Sequence, residues 1–341
     1  MKQFIRIGVD LAKRYFQIHA LELESGKATT RKLSRSVMHT FFAQIEPCLI
    51  GMEACGSSHY WARELRAMGH DVRLLAPIYV KPYVKRGKND AADAAAICEA
   101  MSRPDMRFVP IKSEESQATL MLHKARDLMI KQRTMIVNAL RGHLAEFGIV
   151  AAKGIGRVEA LIAAAHNEAA LPAMVKATLD VFIRNLAAID AAIADLDQQI
   201  AKGHSENPVS QLLAGIPGVG TITATAIVAS VPTRQMFTSG RDFAAWRGMT
   251  PRQNSSGGKE KLGAITKQGN RTLRRFLVMG ATSLLRSVSK RKGTLRDWLA
   301  ALLARKPARL VTLALANKLA RIAWAIMMTG EMFRAESFER A

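Results

Sequence analysis

The sequence predicts a mixed α/β domain followed by an all-α region, and three observations carry that prediction. Strand and helix signals alternate over residues 1–112. Helical signals fill residues 113–206, with a heptad-spaced apolar seam over Leu179 to Ile200. Residues 207–341 open on a Gly-Ile-Pro-Gly turn between apolar runs and close on basic, helix-forming stretches. Hairpin strands followed by alternating helices and strands make a mixed sheet, whereas sustained three-four spacing makes helices.

The first segment reads in order. FIRIGV, Phe4 to Val9, is a short apolar strand that ends at Asp10. YFQIHALEL alternates polar and apolar residues, a turn follows at Ser25 and Gly26, and KATTRKLSR reads as a third strand of an antiparallel meander. A helix over Val37 to Ile45 leads to CLIGME, a buried strand ending at Glu53. A helix from Ser58 to Met68 then feeds a strand over Val72 to Leu75.

In the middle segment Leu179, Phe182, Leu186, Ile189, Ile193, Leu196 and Ile200 form one apolar seam. The earlier stretch Leu122 to Leu144 is also helical and carries Lys124, Arg126, Lys131, Arg133 and Arg141. Together they predict a long antiparallel coiled-coil hairpin, with Gly154, Gly156 and Pro172 punctuating the connection. An ordinary helix pair inside a bundle has the same spacing. The seam is also a candidate contact between copies of the chain.

Composition narrows the partners. The chain has 341 residues, 49% of them hydrophobic, and a formal net charge of +22. That is enough chain for two or three domains with cores, and the charge favours an extended polyanion. The opening MKQFIRIGVD holds Lys2 and Arg6 and has no long apolar run, unlike a signal peptide. The most apolar stretch, Leu310 to Met328, is interrupted by Asn317, Lys318 and Arg321, so a buried or amphipathic helix is expected there and no membrane partner. Cys48, Cys55 and Cys98 form no CxxC pair, which suits reduced thiols in a cytoplasm.

Four carboxylates stand at element ends: Asp10 and Glu53 at strand ends, Asp90 and Asp93 at the start of a helix in KNDAADAAAI. Residues three apart share a helix face. Such a group invites a hard divalent cation, Mg²⁺ or Mn²⁺, of the kind used in phosphoryl transfer. Taken singly, Asp90 and Asp93 are equally read as helix N-terminal charges. In TPRQNSSGGKEKLGAITKQGNRTLRR, Ser255 and Ser256 precede Gly257 and Gly258. Lys259, Lys261, Lys267, Arg271, Arg274 and Arg275 surround them. From composition this is a phosphate-binding loop, in which a serine becomes a nucleophile only if activated. LAGIPGVG resembles the turn of a helix-hairpin-helix, with Gly218 and Gly220 placed to offer backbone N–H groups to a DNA phosphate. The run Arg286, Lys290, Arg291, Lys292, Arg296 adds electrostatic grip or a solvated face. Trp61, Trp246, Trp298 and Trp324 are scattered and form no stacking platform in sequence.

These motifs together resemble the insertion-sequence one-ten transposases, relatives of the Piv and MooV invertases. The resemblance rests on IGVDLAK with Asp10, GMEACGSSHYWARELRAMGHDVRLLAP with Glu53, and KNDAADAAAI with Asp90 and Asp93. It continues in LAGIPGVGTITATAI and FAAWRGMTPRQNSSGGKEKLGAITKQGNRTLRR, so it covers nearly the whole chain. It implies an RNase H-like, RuvC-like catalytic domain (1–112), a helical coiled-coil region (113–206) and a mainly helical transposase domain carrying the serine (207–341). Mg²⁺ at Asp10, Glu53, Asp90 and Asp93 is implied, as is a serine joined covalently to DNA, with Ser256 favoured over Ser255. Implied partners are donor and target double-stranded DNA, a bridge RNA, and further copies of the chain in a dimer or tetramer, in a bacterial cytoplasm at the nucleoid. The serine lies far from the acidic residues in sequence, which favours active sites shared within an oligomer.

Three alternatives stay open at this stage. A metal-only junction endonuclease would use the four carboxylates with water as nucleophile. A non-catalytic nucleic-acid binder would need none of them. An actin-like sugar kinase also opens on IGVD, but the further glycine-rich phosphate loops it needs are not found.

Overall fold

The computed structural model describes residues 3–85, 89–152, 154–231, 233, 236–288 and 293–334. Lys290, Arg291 and Lys292 of the basic run lie outside the described residues. The chain divides into two compact units, Met1–Ser113 and Glu114–Ala341.

The first unit runs β1 (Phe4–Leu11), β2 (Tyr15–Glu22), β3 (Ala28–Ser34), α1 (Met38–Ala43), β4 (Leu49–Glu53), α2 (Ser58–Ala67), β5 (Asp71–Leu75), α3 (Pro77–Val80), α4 (Asp90–Ala100) and β6 (Phe108–Val109). Its six-stranded sheet has the order β3-β2-β1-β4-β5-β6. The first three strands form the antiparallel meander, β1, β4 and β5 run parallel, and β6 closes the far edge antiparallel. This is a mixed α/β architecture compatible with an RNase H-like domain.

Alternation along the strands sorts the two faces. Ile7, Val9, Phe16, Ile18, Ile50, Met52, Val72 and Leu74 are buried in one core with Met38, Phe42, Trp61 and Leu65 of α1 and α2. On the other face, α4 buries Ala96, Ile97, Cys98, Ala100 and Met101 with Leu75 and Val80. Both faces are therefore covered, which is why β1 and β4 read as continuous apolar runs.

The second unit runs α5 (Glu114–Ala145), α6 (Val158–Asn167), α7 (Ala173–Ser205), α8 (Pro208–Ala214), α9 (Thr221–Ser230), α10 (Gly240–Trp246), β7 (Pro251–Gln253), β8 (Leu262–Ile265), α11 (Arg271–Arg286), α12 (Thr294–Leu303) and α13 (Ala308–Thr329). The long helices α5 and α7 pack along one another. Arg126 pairs with Asp197, and Arg133, seven residues on, pairs with Asp190, seven residues back, so the two helices are antiparallel. Leu179, Leu186, Ile193 and Ile200 of the apolar seam are all buried within the chain itself. They are not available to a second copy, and the expectation that this seam joins copies is corrected. The basic residues of α5 are also used internally: Lys131 pairs with Asp127, and Arg141 donates to the carbonyls of Ala152 and Gly154.

The helix α13 is long and apolar enough to cross a membrane by length and composition alone. Instead Val311, Leu315, Ala316, Leu319, Ala320 and Ala323 are buried in the core of this unit, where α13 packs against α8, α10, α11 and α12. It is a core helix.

His123 of α5 is buried against α9. Its Nε2 lies 3.0 Å from Thr225 Oγ1, and that hydroxyl donates in turn to the Thr221 carbonyl at 2.8 Å. Thr225 must therefore accept from His123, which fixes the neutral ring with its proton on Nε2. Burial, with the nearby Arg126 charge, pushes the His123 pKa down to about 4. The folded state holds this ring neutral while the unfolded chain protonates it near 6.5. Its contribution is complete above that pH and is lost as the pH falls towards about 4, by up to about 3 kcal/mol at 1.36 kcal/mol per unit. Thermal unfolding measured between neutral and acidic pH is expected to fall more steeply in the wild type than in His123→Gln; parallel curves would contradict the assignment.

Candidate active site

The acidic residues are placed by two glycines. Gly8 of β1 and Gly51 of β4 are neighbours in the parallel register. A Cβ on Gly8 would lie 2.2 Å from the Ala94 carbonyl oxygen and 2.7 Å from the Cys98 nitrogen. One on Gly51 would lie 2.6 Å from Met101 Sδ. Helix α4 thus rests on bare backbone, closer to the sheet than any side chain would permit. Two residues along, on the same face, come Asp10 and Glu53. Asp93 immediately precedes Ala94, the residue over Gly8, and Asp90 stands one turn before it in the first turn of α4. The Asn89 side chain caps that turn by accepting from the Ala92 N–H at 2.8 Å.

The four carboxylates are thereby gathered at one end of the sheet. Burial, and then the charges of Asp93, Asp90 and Glu53 in that order, raise the Asp10 pKa to about 6. Burial and Asp93 also raise Glu53. Cys55 belongs to the same neighbourhood, since burial and the charges of Glu53 and Asp10 push its thiol up. Nothing in the sequence beyond its place two residues after Glu53 marks it. Among the described residues, no group of three or more His, Cys, Asp or Glu side chains stands close enough to hold a metal ion as placed. The donor chemistry nevertheless suits one. All four groups are hard oxygen donors, and their mutual repulsion is what a divalent cation would relieve.

The serine pair lies in the second unit. The stretch TPRQNSSGGKEKLGAITKQGNRTLRR, read from composition as a phosphate-binding loop, contains the two-stranded antiparallel sheet β7–β8. Lys259 N–H donates to the Ser256 carbonyl at 3.1 Å, and the two residues between, Gly257 and Gly258, have φ of +56° and +77°. Positive φ at both central positions is a type I′ turn, which glycine adopts without strain. The Ser255 hydroxyl is engaged by the hairpin: it donates to Gln253 Oε1 and accepts from the Lys261 N–H, both at 3.1 Å. Ser256 is exposed at the turn, and its hydroxyl makes no hydrogen bond among the described residues.

The base of this hairpin is clamped by close backbone contact. A Cβ on Gly248 would lie 2.3 Å from the Gln268 nitrogen, and one on Gly269 would lie 1.9 Å from the Trp246 carbonyl oxygen. Arg274 ties both legs by donating from Nη1 to the carbonyls of Arg247 and Gln268, each at 2.8 Å. Arg247 itself is fully buried, with its guanidinium 3.6 Å from the Trp246 ring centre and 4.8 Å from that of Phe243. Its guanidinium nitrogens have no hydrogen-bond partner among the described residues, and burial drives its pKa well below the usual range. Cation–π contact is the compensation visible for that charge.

The basic residues expected to grip nucleic acid divide into two groups. Arg274 is the hairpin tie just described, and Arg275 is paired at 2.6 Å with Asp127 of α5. Lys259, Lys261, Lys267 and Arg271 are exposed. In the turn between α8 and α9, Gly218 packs against α11, where a Cβ on Gly280 would lie 1.9 Å from the Gly218 carbonyl oxygen. Gly220 caps α9 and faces open space.

Comparison with known proteins is consistent along the chain. The Transposase IS116/IS110/IS902 family matches residues 210–295, and a DEDD-type transposase family matches residues 7–149. The y4pF/y4sB protein of Sinorhizobium fredii is 49% identical over 98% of this chain and 87% of its own length. The transposase for insertion sequence element IS1111A of Coxiella burnetii is 39% identical over 98% of this chain and 92% of that protein. The transposase for element IS1328 of Yersinia enterocolitica is 37% identical over 96% and 98% respectively.

Seating α4 on glycine has a direct consequence. Gly8→Ala is expected to displace α4 and, with it, Asp90 and Asp93. Unfolding should show a loss of the order of 1–3 kcal/mol, as for other overpacked interiors, and cleavage activity should fall with it. An unchanged melting temperature would show that α4 yields freely at this contact.

Proposed function

The chain belongs to the IS110/IS116/IS902 transposase family, and from that premise we propose that it cuts and rejoins DNA through a covalent phosphoserine–DNA link made by Ser256. The observation that carries this reading is the contrast between the two serines. The Ser255 hydroxyl is used on both sides by the hairpin, whereas that of Ser256 is unengaged at the tip of a two-glycine turn.

The chemistry balances without an energy source. Ser256 Oγ attacks the scissile phosphorus and loses its proton. The bond from phosphorus to the 3′ oxygen breaks, and that oxygen takes up a proton to become a 3′-hydroxyl. Attack by a 3′-hydroxyl of the exchanged strand on the phosphoserine link forms a new phosphodiester, breaks the phosphorus–serine bond and returns a proton to Ser256, which reseals the DNA and frees the serine. Lys259 and Lys261, exposed close to the serine on the same turn and arm, would stabilise the charge that develops on the phosphate oxygens. Asp10, Glu53, Asp90 and Asp93 would hold divalent ions, Mg²⁺ or Mn²⁺, which supply polarisation of phosphate oxygens when bound. The shared repulsion on Asp10 keeps that group receptive to a cation.

Double-stranded donor and target DNA are the substrates in this reading, with a bridge RNA as guide and the bacterial cytoplasm, at the nucleoid, as the setting. The net charge of +22 supports polyanion partners of this size. The helix pair α5–α7 serves as a coiled coil, and the protein works as a dimer or tetramer. Met121, Leu128 and Met135 support this, because they stand exposed at seven-residue intervals on α5 as an apolar stripe for a second copy.

Labelled element-junction DNA, incubated with Mg²⁺ and the flanking non-coding RNA, tests the reaction on denaturing gels with and without protease. A protease-sensitive adduct is expected from wild type and Ser255→Ala and not from Ser256→Ala, while Asp10→Asn lowers cleavage by about a hundredfold or more. Cleavage without an adduct, indifferent to both serine changes, would instead assign a metal-dependent nuclease that uses water.

A further inference from the structure

The second unit also holds a cavity of about 580 Å³ between the start of α10 and the C-terminal half of α13. Arg241 and Arg321 line it together with Trp324, Ala325 and Met332. Gly240 brings the two chain segments close, since a Cβ there would lie 3.2 Å from the Cα and the carbonyl oxygen of Arg321. The guanidinium groups of Arg241 and Arg321 consequently share one space, and the charge of Arg241 adds to burial in lowering the Arg321 pKa. Lys318, one turn earlier on α13, feels Arg321 in the same sense and rests over the Trp298 ring at 4.8 Å.

No hydrogen bond or ion pair engages Arg241 or Arg321 among the described residues. Glu331 is at the rim, exposed, with its backbone N–H donating to Thr329. Two like charges set side by side by tight backbone packing are costly, and an anion lying between them removes that cost. The rest of the wall is the Trp324 ring and small or apolar side chains, a lining suited to a flat heterocycle. A base locked in a duplex cannot enter such a cavity, whereas an unpaired one can stack on an aromatic side chain or a guanidinium plane.

We propose that this cavity takes an unpaired nucleotide, its base against Trp324 and its phosphate between Arg241 and Arg321. The assignment rests on the strand-exchange reading and deepens it. Exchange exposes single-stranded segments, and this site gives one of them a hold made by protein rather than by base pairing.

Tryptophan fluorescence of the full-length protein tests it, with titrations by a short single-stranded DNA, the RNA of the same sequence, a blunt duplex, AMP and inorganic phosphate. The single strands are expected to quench and the duplex to leave the signal unchanged, and the stronger of the DNA and RNA arms identifies the source of the nucleotide. The double variant Arg241→Gln, Arg321→Gln should bind about tenfold or more weakly, with a salt dependence shallower by about 0.7 for each phosphate that is no longer neutralised. Trp324→Phe should lose the quench. Arg241 is exposed, so Arg241→Glu alone gives a folded check in which binding weakens in the same direction. Variants that titrate like wild type overturn the proposal, as does saturation by AMP or phosphate with no gain from a strand. The protease-sensitive adduct, assayed in the same double variant, separates the two readings: an adduct retained beside an unchanged titration removes the nucleotide site and leaves the serine reaction standing.

Discussion

The acidic cluster depends on how closely α4 can approach the sheet. A helix ordinarily packs on strands through two layers of side chains. At Gly8 the α4 backbone meets the strand directly, and at neighbouring Gly51 the side chains of Ile97 and Met101 rest on bare strand backbone. That approach decides where Asp90 and Asp93 stand relative to Asp10 and Glu53. The cost is visible in Asp10, whose carboxyl is raised to about 6 by burial and by its three neighbours. Carboxylates assembled on packing glycines repel one another, and a divalent ion, which a DEDD-type transposase domain implies, would relieve that repulsion.

The second unit uses the same device for a different purpose. Gly248 and Gly269 press the ends of the serine hairpin together, and Gly218 and Gly280 press the turn before α9 onto α11. The hairpin is therefore a small projection on a rigid base, with Ser256 at its outermost turn. Arg274, which by composition belongs to a nucleic-acid surface, is instead the strut of that base. Lys259, Lys261, Lys267 and Arg271 stand exposed near the turn and along the exit of the hairpin.

Much of the first unit is legible in the sequence because its strands alternate and its turns are marked. The meander, the strand ending at Glu53 and the α2 helix follow from hydrophobic period alone. Sequence does not reveal that Gly8 and Gly51 are neighbours, because register between β1 and β4 is a long-range fact. The β7–β8 hairpin is hidden by its short arms and polar composition, although Gly257-Gly258 is a recognisable type I′ signal. The seam of α7 is plain as a helix face, but periodicity cannot say whether the partner is α5 or another molecule. The Arg241–Arg321 cavity has no sequence signal, since eighty residues separate groups that share one space.

The ion pairs between α5 and α7 recur at intervals of one heptad on each helix. At 1.5 Å per residue, α5 is a rod of about 48 Å, roughly the length of fourteen base pairs of DNA. Removing one heptad from each helix at facing positions would keep the surviving pairs in register while shortening the rod by about 10 Å. The pair is thus a ruler graduated in matched seven-residue steps, and a change of any other length would rotate one edge of the scale against the other.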